Sequence, residues 1–123
     1  LDANIDWGQD LMELKRYVDR HPEASPIGLA YYGIVDPKLT GMAAAAAPTS
    51  AEIERRGDDG VVDARPRTYA ISVNNLLGYR DVRAYTYFQE IEPIATAGYS
   101  IYIYRTDETH LIRAARSRAD QDQ

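Results

Sequence analysis

The strongest pattern of apolar and polar positions lies near the start of the chain. Apolar residues recur there at helical spacing: Trp7, Leu11, Leu14 and Val18. This spacing places them on one face of a helix, so we predict a helix from Asp6 to Arg20. Asp6 with Gln9 resembles a capping box, and Pro22 follows as a stop signal.

Three short apolar runs have the length and the boundaries of β-strands. They extend from Ile27 to Tyr32, from Tyr69 to Val73 and from Tyr99 to Arg105. The first run is almost unbroken, which is typical of a strand covered on both faces. In the third run, isoleucines alternate with tyrosines after Ser100, which indicates one aliphatic and one aromatic face.

A second helix is predicted between the second and third strands. Asp81 can cap it, Val82, Tyr85 and Phe88 share one face, and Pro93 ends it. This connection is long enough for a right-handed crossover between two parallel strands. The sequence therefore predicts an α/β fold, with a small three- to four-stranded sheet that is at least partly parallel and has helices packed on it.

The chain is predicted to consist of one domain and a tail. Residues 1–105 form the single α/β domain, in which 43–66 are expected to be a long surface loop or insert. Ser50 can cap one helical turn in this loop, which Gly57 would end. Residues 106–123 are strongly charged, so we expect a C-terminal tail that is a weak helix or disordered.

The composition excludes several classes of function. The chain has 123 residues and a net charge of −5 with scattered arginines, which favours one domain and argues against nucleic acid as a partner. It has no cysteine, and His21 and His110 have no partner at ligand spacing, so we expect no metal and no cofactor. Phosphate-loop, dinucleotide and serine-hydrolase motifs are absent. No run approaches the ~20 apolar residues of a membrane-spanning helix.

The densest group of candidate functional residues surrounds the only tryptophan. Asn4, Asp6 and Gln9 flank Trp7, and amides, carboxylates and an indole ring are groups that bind sugars. Asp6 or Asp10 also has the chemistry of a general base. The same residues suit a helix start, because Asp6 can cap it and Trp7 can anchor it to the sheet. The sequence leaves both interpretations open.

A second group of candidate residues follows two of the predicted strands. Tyr31, Tyr32 and Asp36 come after the first strand, and Asn74 and Asn75 end the second. If these strands are parallel, their carboxyl ends meet at one edge of the sheet, where ligands of α/β proteins bind. The alternative is structural: Asp36 and Asn74 cap turns, and the tyrosines belong to the core with their hydroxyls reaching water.

Several segments together resemble a known family. The matching blocks are Asn4-Ile5-Asp6-Trp7-Gly8-Gln9-Asp10-Leu11, Leu29-Ala30-Tyr31-Tyr32-Gly33 with Asp36-Pro37, Ala70-Ile71-Ser72-Val73, Glu92-Pro93, and Gly98-Tyr99-Ser100-Ile101 with Tyr104. They are similar to the C-terminal soluble domain of bacterial multi-pass glycosyltransferases of the protein-mannosyltransferase-like superfamily. Those enzymes take sugars from polyprenyl-phosphate carriers. The resemblance covers residues 2–105, and its first block is the most specific.

The resemblance implies a non-catalytic accessory domain on the extracytoplasmic face of the bacterial inner membrane. Its partner would be the membrane-embedded part of the same polypeptide, and the chain would be a fragment of that polypeptide. The catalytic acid of such enzymes belongs to the membrane part, so no catalytic residue is assigned here. Contact of the candidate residues with carbohydrate or with a polyprenyl-phosphate sugar is a further hypothesis.

Two alternative functions stay open at this point. One is an independent carbohydrate-binding module that uses Trp7 and exposed tyrosines. The other is a small hydrolase in which Asp6 or Asp10 acts as general base with Asp36 as its partner, which requires the two carboxylates to converge in a pocket.

Overall fold

The protein folds into a mixed β-sheet with helices on both faces. The computed structural model describes residues 8–33, 35–78 and 83–121. The strands are β1 (Ile27–Ala30), β2 (Ala44–Ala46), β3 (Arg67–Ser72), β4 (Ala95–Ala97) and β5 (Ile101–Thr106). The α-helices are α1 (Gln9–Arg20), α2 (Ser50–Asp59), α3 (Val73–Leu76) and α4 (Glu108–Gln121). The predicted α/β fold with a partly parallel sheet is confirmed, and the sheet has five strands.

The sheet is parallel on one side and antiparallel on the other. Its strand order is β2-β1-β3-β5-β4, and β1 is parallel to both of its neighbours. β5 is antiparallel to both β3 and β4. The predicted parallel crossover between the second and third expected strands is therefore wrong, because those strands are β3 and β5. The connection after β3 leads to β4 at the edge of the sheet instead. The chain then turns back through the β4–β5 hairpin, which places β5 between β3 and β4.

Two hydrophobic cores lie on opposite faces of the sheet. The first joins α1 to the sheet and contains Leu11, Leu14, Val18, Ile27, Ala70, Ala97, Ile101 and Ile103. The second lies under α2 and α4, and its larger members include Ile53, Tyr69, Ile71, Phe88, Tyr104, Leu111 and Ile112. Ile101 and Ile103 belong to one core and Tyr104 to the other, which confirms the two-faced pattern predicted for this strand.

The amphipathic helix α1 forms as predicted but begins later than expected. Gly8 occupies its N-cap position with a φ of 112°, and Gln9 is its first residue. A Cβ atom at position 8 would lie 2.9 Å from Cγ2 of Val35, so glycine suits both the backbone angle and this contact. Asp6, the predicted cap, lies outside the described residues.

The prediction of a long surface loop over 43–66 is wrong, because this segment holds the edge strand β2 and the helix α2. Thr49 caps α2 in a capping box with Glu52, one residue before the predicted cap. The helix continues through Gly57, the predicted stop, and Gly60 follows as its C-cap in the left-handed conformation.

The C-terminal segment belongs to the domain. The predicted boundary at 105 does not separate a tail from the core, because α4 spans 14 residues and buries Leu111 and Ile112. Gly57 of α2 faces α4, where an added Cβ atom would lie 2.9 Å from Cγ2 of Ile112. The absence of a side chain at this position lets the two helices pack closely.

A short 3-10 helix lies in the described part of the segment for which a longer second helix is predicted. A 3-10 helix spans Thr86–Glu90, while Asp81 and Val82 lie outside the described residues. The hydroxyl of Tyr87 in this helix donates a hydrogen bond to the carbonyl oxygen of Pro48 at 2.6 Å. Burial raises the pKa of this hydroxyl, so it remains a neutral donor that ties the segment to the loop after β2.

Candidate functional site

The carboxyl ends of β1 and β3 bring four of the predicted site residues to one edge of the sheet. Tyr31 and Tyr32 directly follow β1, and Asn74 and Asn75 lie in α3, which directly follows β3. The two strands are parallel, so the geometric condition for this grouping is met. We use the name carboxyl edge for the described segments around these strand ends, which are 8–12, 31–33, 72–78 and 98–100.

Hydrogen bonds join the segments of the carboxyl edge to one another. The backbone N–H of Tyr32 donates to Oγ of Ser72 at 2.8 Å. The side-chain amide of Asn75 donates to the carbonyl oxygen of Ala30 at 3.0 Å. The N–H of Val73 donates to the carbonyl oxygen of Ser100 at 2.7 Å, which connects β3 to the β4–β5 hairpin. The edge is therefore a connected structure rather than a set of independent loops.

Asp10 fastens the start of α1 to the same edge. Its carboxylate accepts a hydrogen bond from Oγ of Ser100 at 2.6 Å and another from the N–H of Tyr99 at 3.1 Å. The residue is only 4% exposed. Gly98 makes this approach possible, because a Cβ atom there would lie 1.8 Å from Oδ1 of Asp10. These contacts give Asp10 a structural role at the helix start.

The candidate residues at the carboxyl edge differ in their accessibility. Asn74 is buried, Tyr31 and Asn75 are half-buried, and Tyr32 and Gln9 are exposed. Tyr31 packs against the core beneath α1. The side-chain hydrogen bond of Asn75 to the carbonyl oxygen of Ala30 fastens α3 to the end of β1.

Three candidate residues, Asn4, Asp6 and Trp7, lie outside the described residues. Their proposed contacts with sugar and their alternative roles at the helix start stay predictions.

Asp36 lies in the connection between β1 and β2, outside the carboxyl edge. It caps the 3-10 helix Pro37–Thr40 by accepting a hydrogen bond from the N–H of Lys38 at 3.0 Å. It also lines a cleft of about 220 Å³ together with Leu29, Met42 and the alanines of β2. Turn capping is the structural role that the sequence indicates for Asp36 as the alternative to ligand binding.

The hydrolase alternative gains no support from the described acids. The carboxylate of Asp10 is buried against Ser100, whereas that of Asp36 is exposed and holds a local cap. Both carboxylates thus make structural hydrogen bonds, and Asp6, the other candidate base, lies outside the described residues, so the hydrolase alternative stays a prediction.

Exposed apolar residues are the part of the carboxyl edge that sequence reasoning missed. Tyr99, at the turn of the β4–β5 hairpin, is 96% exposed, and Leu77, at the end of α3, is 66% exposed. Met12 on α1 is also exposed. One signal was present: Gly98 and Ser100 mark a turn around Tyr99, and a turn leaves its central side chain in solvent.

The opposite end of the sheet is rich in ion pairs. We use the name amino edge for the segments 20–26, 61–68 and 105–108, which surround the amino ends of β1 and β3. Glu108 is buried there and accepts hydrogen bonds from Arg56 and from the N–H of Asp63. Hydrogen bonds from Arg65 hold the pKa of the Asp63 carboxyl well below its ordinary value. The acidic and basic side chains thus form ion pairs and hydrogen bonds with one another. These contacts hold α2 and α4 against the segment that precedes β3.

The described residues also contain a larger cleft of about 480 Å³ beside α4, and Thr106 of the amino edge contributes to it. Its lining includes Glu90, Glu92, His110, Arg113 and Ser117. Within the described ranges no group of three or more histidines and acids could hold a metal ion. The cleft contains none of the candidate residues predicted from the sequence.

Comparison with known proteins adds no relative to this picture. No protein-family model matches the chain, and neither a curated protein nor a solved structure is detectably similar to it. Among the residues that the structure describes, no helix combines the length and the apolarity needed to cross a bilayer.

Proposed function

We propose that this chain is a non-catalytic accessory domain of a bacterial membrane glycosyltransferase. In this proposal its carboxyl edge faces the membrane-embedded part of the same polypeptide, on the extracytoplasmic side. The sequence resemblance indicates the class of enzyme. The geometry of the strand ends indicates which surface of the domain would contact the membrane-embedded part. The observation that carries the proposal is the meeting of four resemblance blocks at this edge.

The four blocks are far apart in the sequence but joined by hydrogen bonds. Asp10 of the first block bonds to Ser100 of the last, Ser100 bonds to Val73 of the third, and Tyr32 of the second bonds to Ser72. Each of the four blocks thus contributes at least one described residue to the region around the strand ends, which is where α/β domains present binding surfaces.

The contacts at the edge favour a binding role over a chemical one. Asp10, Ser72 and Asn75 each engage another segment of the domain. Their arrangement rigidifies the edge, as a surface requires if it is to dock without a large ordering cost. Transfer of the sugar from a polyprenyl-phosphate carrier would then be carried out by the membrane part.

The test uses the full-length product of the gene in membrane vesicles. We expect the sequence upstream of Leu1 to encode several hydrophobic spans, and we expect Tyr32→Ala with Tyr99→Ala to lower sugar transfer at least about tenfold. Val61→Ala, an exposed apolar residue of the amino edge, serves as the matched control and should leave transfer unchanged. The purified 123-residue chain should show no transferase or hydrolase turnover. Turnover by this chain alone, or an upstream sequence without spans, would overturn the proposal.

A carbohydrate-binding module is the second candidate function. It is favoured by the exposed side chain of Tyr32 at the carboxyl edge, because aromatic rings can stack on sugars. Trp7 is the only tryptophan and directly precedes the edge segment in the sequence, so its fluorescence reports on glycan titrations. A saturable change that Tyr32→Ala abolishes would support this candidate, whereas a flat response across neutral and acidic glycans would exclude it.

A further inference from the structure

The carboxyl edge exposes apolar side chains from each of its four segments. Tyr99 and Leu77 are largely exposed, and Met12 and Tyr32 are exposed to a lesser degree. Tyr99 and Leu77 are held in place by backbone hydrogen bonds, from Tyr99 N–H to Asp10 and from Leu77 N–H to the carbonyl oxygen of Val73. The backbone that carries these side chains is thus held by hydrogen bonds. Exposure of the apolar side chains to water is unfavourable in hydrophobic free energy.

The same edge carries almost no charge. Among the described residues of its four segments, Asp10 is the only one with an ionisable acidic or basic side chain other than tyrosine, and its carboxylate is buried. The amino edge carries Arg20, Glu23, Asp63, Arg65, Arg67, Arg105, Asp107 and Glu108. Among the described residues, the carboxyl edge thus combines exposed apolar side chains with a single buried carboxylate, whereas the amino edge carries many charged side chains.

We propose that the carboxyl edge rests on the interfacial region of a lipid bilayer. This inference deepens the proposed function, on which it rests, by naming lipid as a direct contact of the domain. Tyrosine rings are favoured at the level of lipid headgroups, where one end of the ring is apolar and the other is hydrated. Leucine and methionine side chains gain free energy by entering the boundary between headgroups and acyl chains. The charged amino edge would then point away into water.

The charge distribution also predicts which lipids are bound. Peripheral proteins that depend on anionic lipid use clusters of lysine and arginine, and the described carboxyl edge has none. The whole chain carries a net charge of −5, which opposes approach to an anionic surface. Binding should therefore be driven by apolar contact, be strongest on zwitterionic bilayers and be insensitive to salt.

The experiment measures partition of the purified 123-residue chain onto vesicles of pure phosphatidylcholine. Co-sedimentation gives the bound fraction, and the fluorescence of Trp7 gives an independent signal. Tyr99→Ser combined with Leu77→Ser removes the two most exposed apolar side chains of the edge, and we expect it to lower the partition coefficient about tenfold or more. Val61→Ser combined with Ile94→Ser is the matched control, because both residues are exposed but lie outside the carboxyl edge.

Further variants and lipids make the outcome decisive. Tyr99→Leu keeps an apolar side chain at the hairpin turn and should retain binding, and circular dichroism verifies that each variant is folded. Replacing one third of the lipid with phosphatidylglycerol should not strengthen binding, nor should lowering the salt. Absence of binding to phosphatidylcholine, equal loss in the control pair, or binding that requires phosphatidylglycerol would each overturn the inference.

The vesicle assay is independent of the transferase assay, so the two proposals fail in different ways. Loss of sugar transfer in edge variants without any vesicle binding would leave protein as the occupant of the edge and would exclude lipid. Vesicle binding by a chain whose gene encodes no membrane enzyme would leave a peripheral lipid-binding domain and would exclude the proposed function.

Discussion

Asp10 joins two elements that are far apart in the sequence, through a carboxylate that is nearly excluded from water. Its partners, the hydroxyl of Ser100 and the N–H of Tyr99, would lose their acceptor in Asp10→Ala. Buried donors without an acceptor are costly, so we expect this variant to lose about 2 kcal/mol of unfolding free energy. Urea denaturation followed by circular dichroism measures the loss.

Asp19→Ala is the control for this prediction, because Asp19 lies on the same helix and makes only an exposed ion pair with Lys15 at 2.7 Å. Its loss should be less than about 0.5 kcal/mol. In a double-mutant cycle, Asp10→Ala and Ser100→Ala should be non-additive, since both remove the same bond. Additive losses would mean that the two side chains do not interact in solution.

Gly98 permits the contact that Asp10 makes. It has a φ of 62°, and a Cβ atom there would overlap the Asp10 carboxylate. Gly98→Ala should therefore cost more than the left-handed backbone alone, by about 2 kcal/mol. Gly41→Ala isolates the backbone contribution, because Gly41 has a φ of 76° and no atom within 4 Å of the added Cβ. Equal losses for the two variants, measured by urea denaturation, would contradict the predicted overlap.

At the scale of elements, the N-terminus of α2 has a contribution to stability that depends on pH. The backbone N–H of Thr49 donates to Oε1 of Glu52 at 3.0 Å, and this bond is the main cause that lowers the pKa of Glu52 from 4.5. A lowered pKa in the folded state stabilises the fold above pH 4.5, and the stabilisation is lost as the pH falls through the folded value.

Glu52→Gln should thus reduce the melting temperature at pH 7 and make no difference near pH 2. The size of the effect is small because Glu52 is exposed and the interaction is screened. Glu54→Gln, later in the same helix, is the matched control. An NMR titration that gives Glu52 a pKa at or above its ordinary value would refute this assignment.

Elements with a distinct apolar pattern could be predicted from the sequence, and elements built from alanine could not. α1, β1, β3 and β5 contain large apolar residues at helical or strand spacing. β2 is entirely alanine and β4 has the sequence Ala-Thr-Ala, so both are poor in residues that favour strands, and each depends on pairing with its neighbour. In α4, Ala114 and Ala115 complete the buried face, and small residues leave a weak hydrophobic signal.

The same distinction separates the parts of the candidate site. The sequence could predict that Tyr32 and Asn75 lie at the same end of the sheet, because the carboxyl ends of parallel strands lie together. The bond from Asp10 to Ser100 spans 90 positions and depends on the β4–β5 hairpin, which the alanines of β4 do not reveal. Asp36 was expected near the other residues, but the β1–β2 connection forms a 3-10 helix that uses it as a cap.

At the scale of the whole molecule, α4 covers one face of the sheet together with α2 and the 3-10 helix Thr86–Glu90. Leu111 is fully buried and Ile112 nearly so, and both belong to the core that contains Tyr69 and Phe88. Loss of each large buried aliphatic side chain costs about 2–5 kcal/mol. The total stability of a domain is only about 5–15 kcal/mol, so removal of the helix should abolish cooperative folding.

A chain ending at Thr106 should therefore lack the sharp urea transition and the dispersed NMR spectrum expected of the full chain. Leu111→Ala is a milder version of the same change and should lose about 3 kcal/mol, whereas Leu39→Ala, at a residue that is 80% exposed, should lose less than about 0.5 kcal/mol. Retention of a cooperative transition by the truncated chain would show that the sheet and α1 are sufficient. The charged amino edge would then lose Glu108, the buried acid that Arg56 contacts, without consequence for folding.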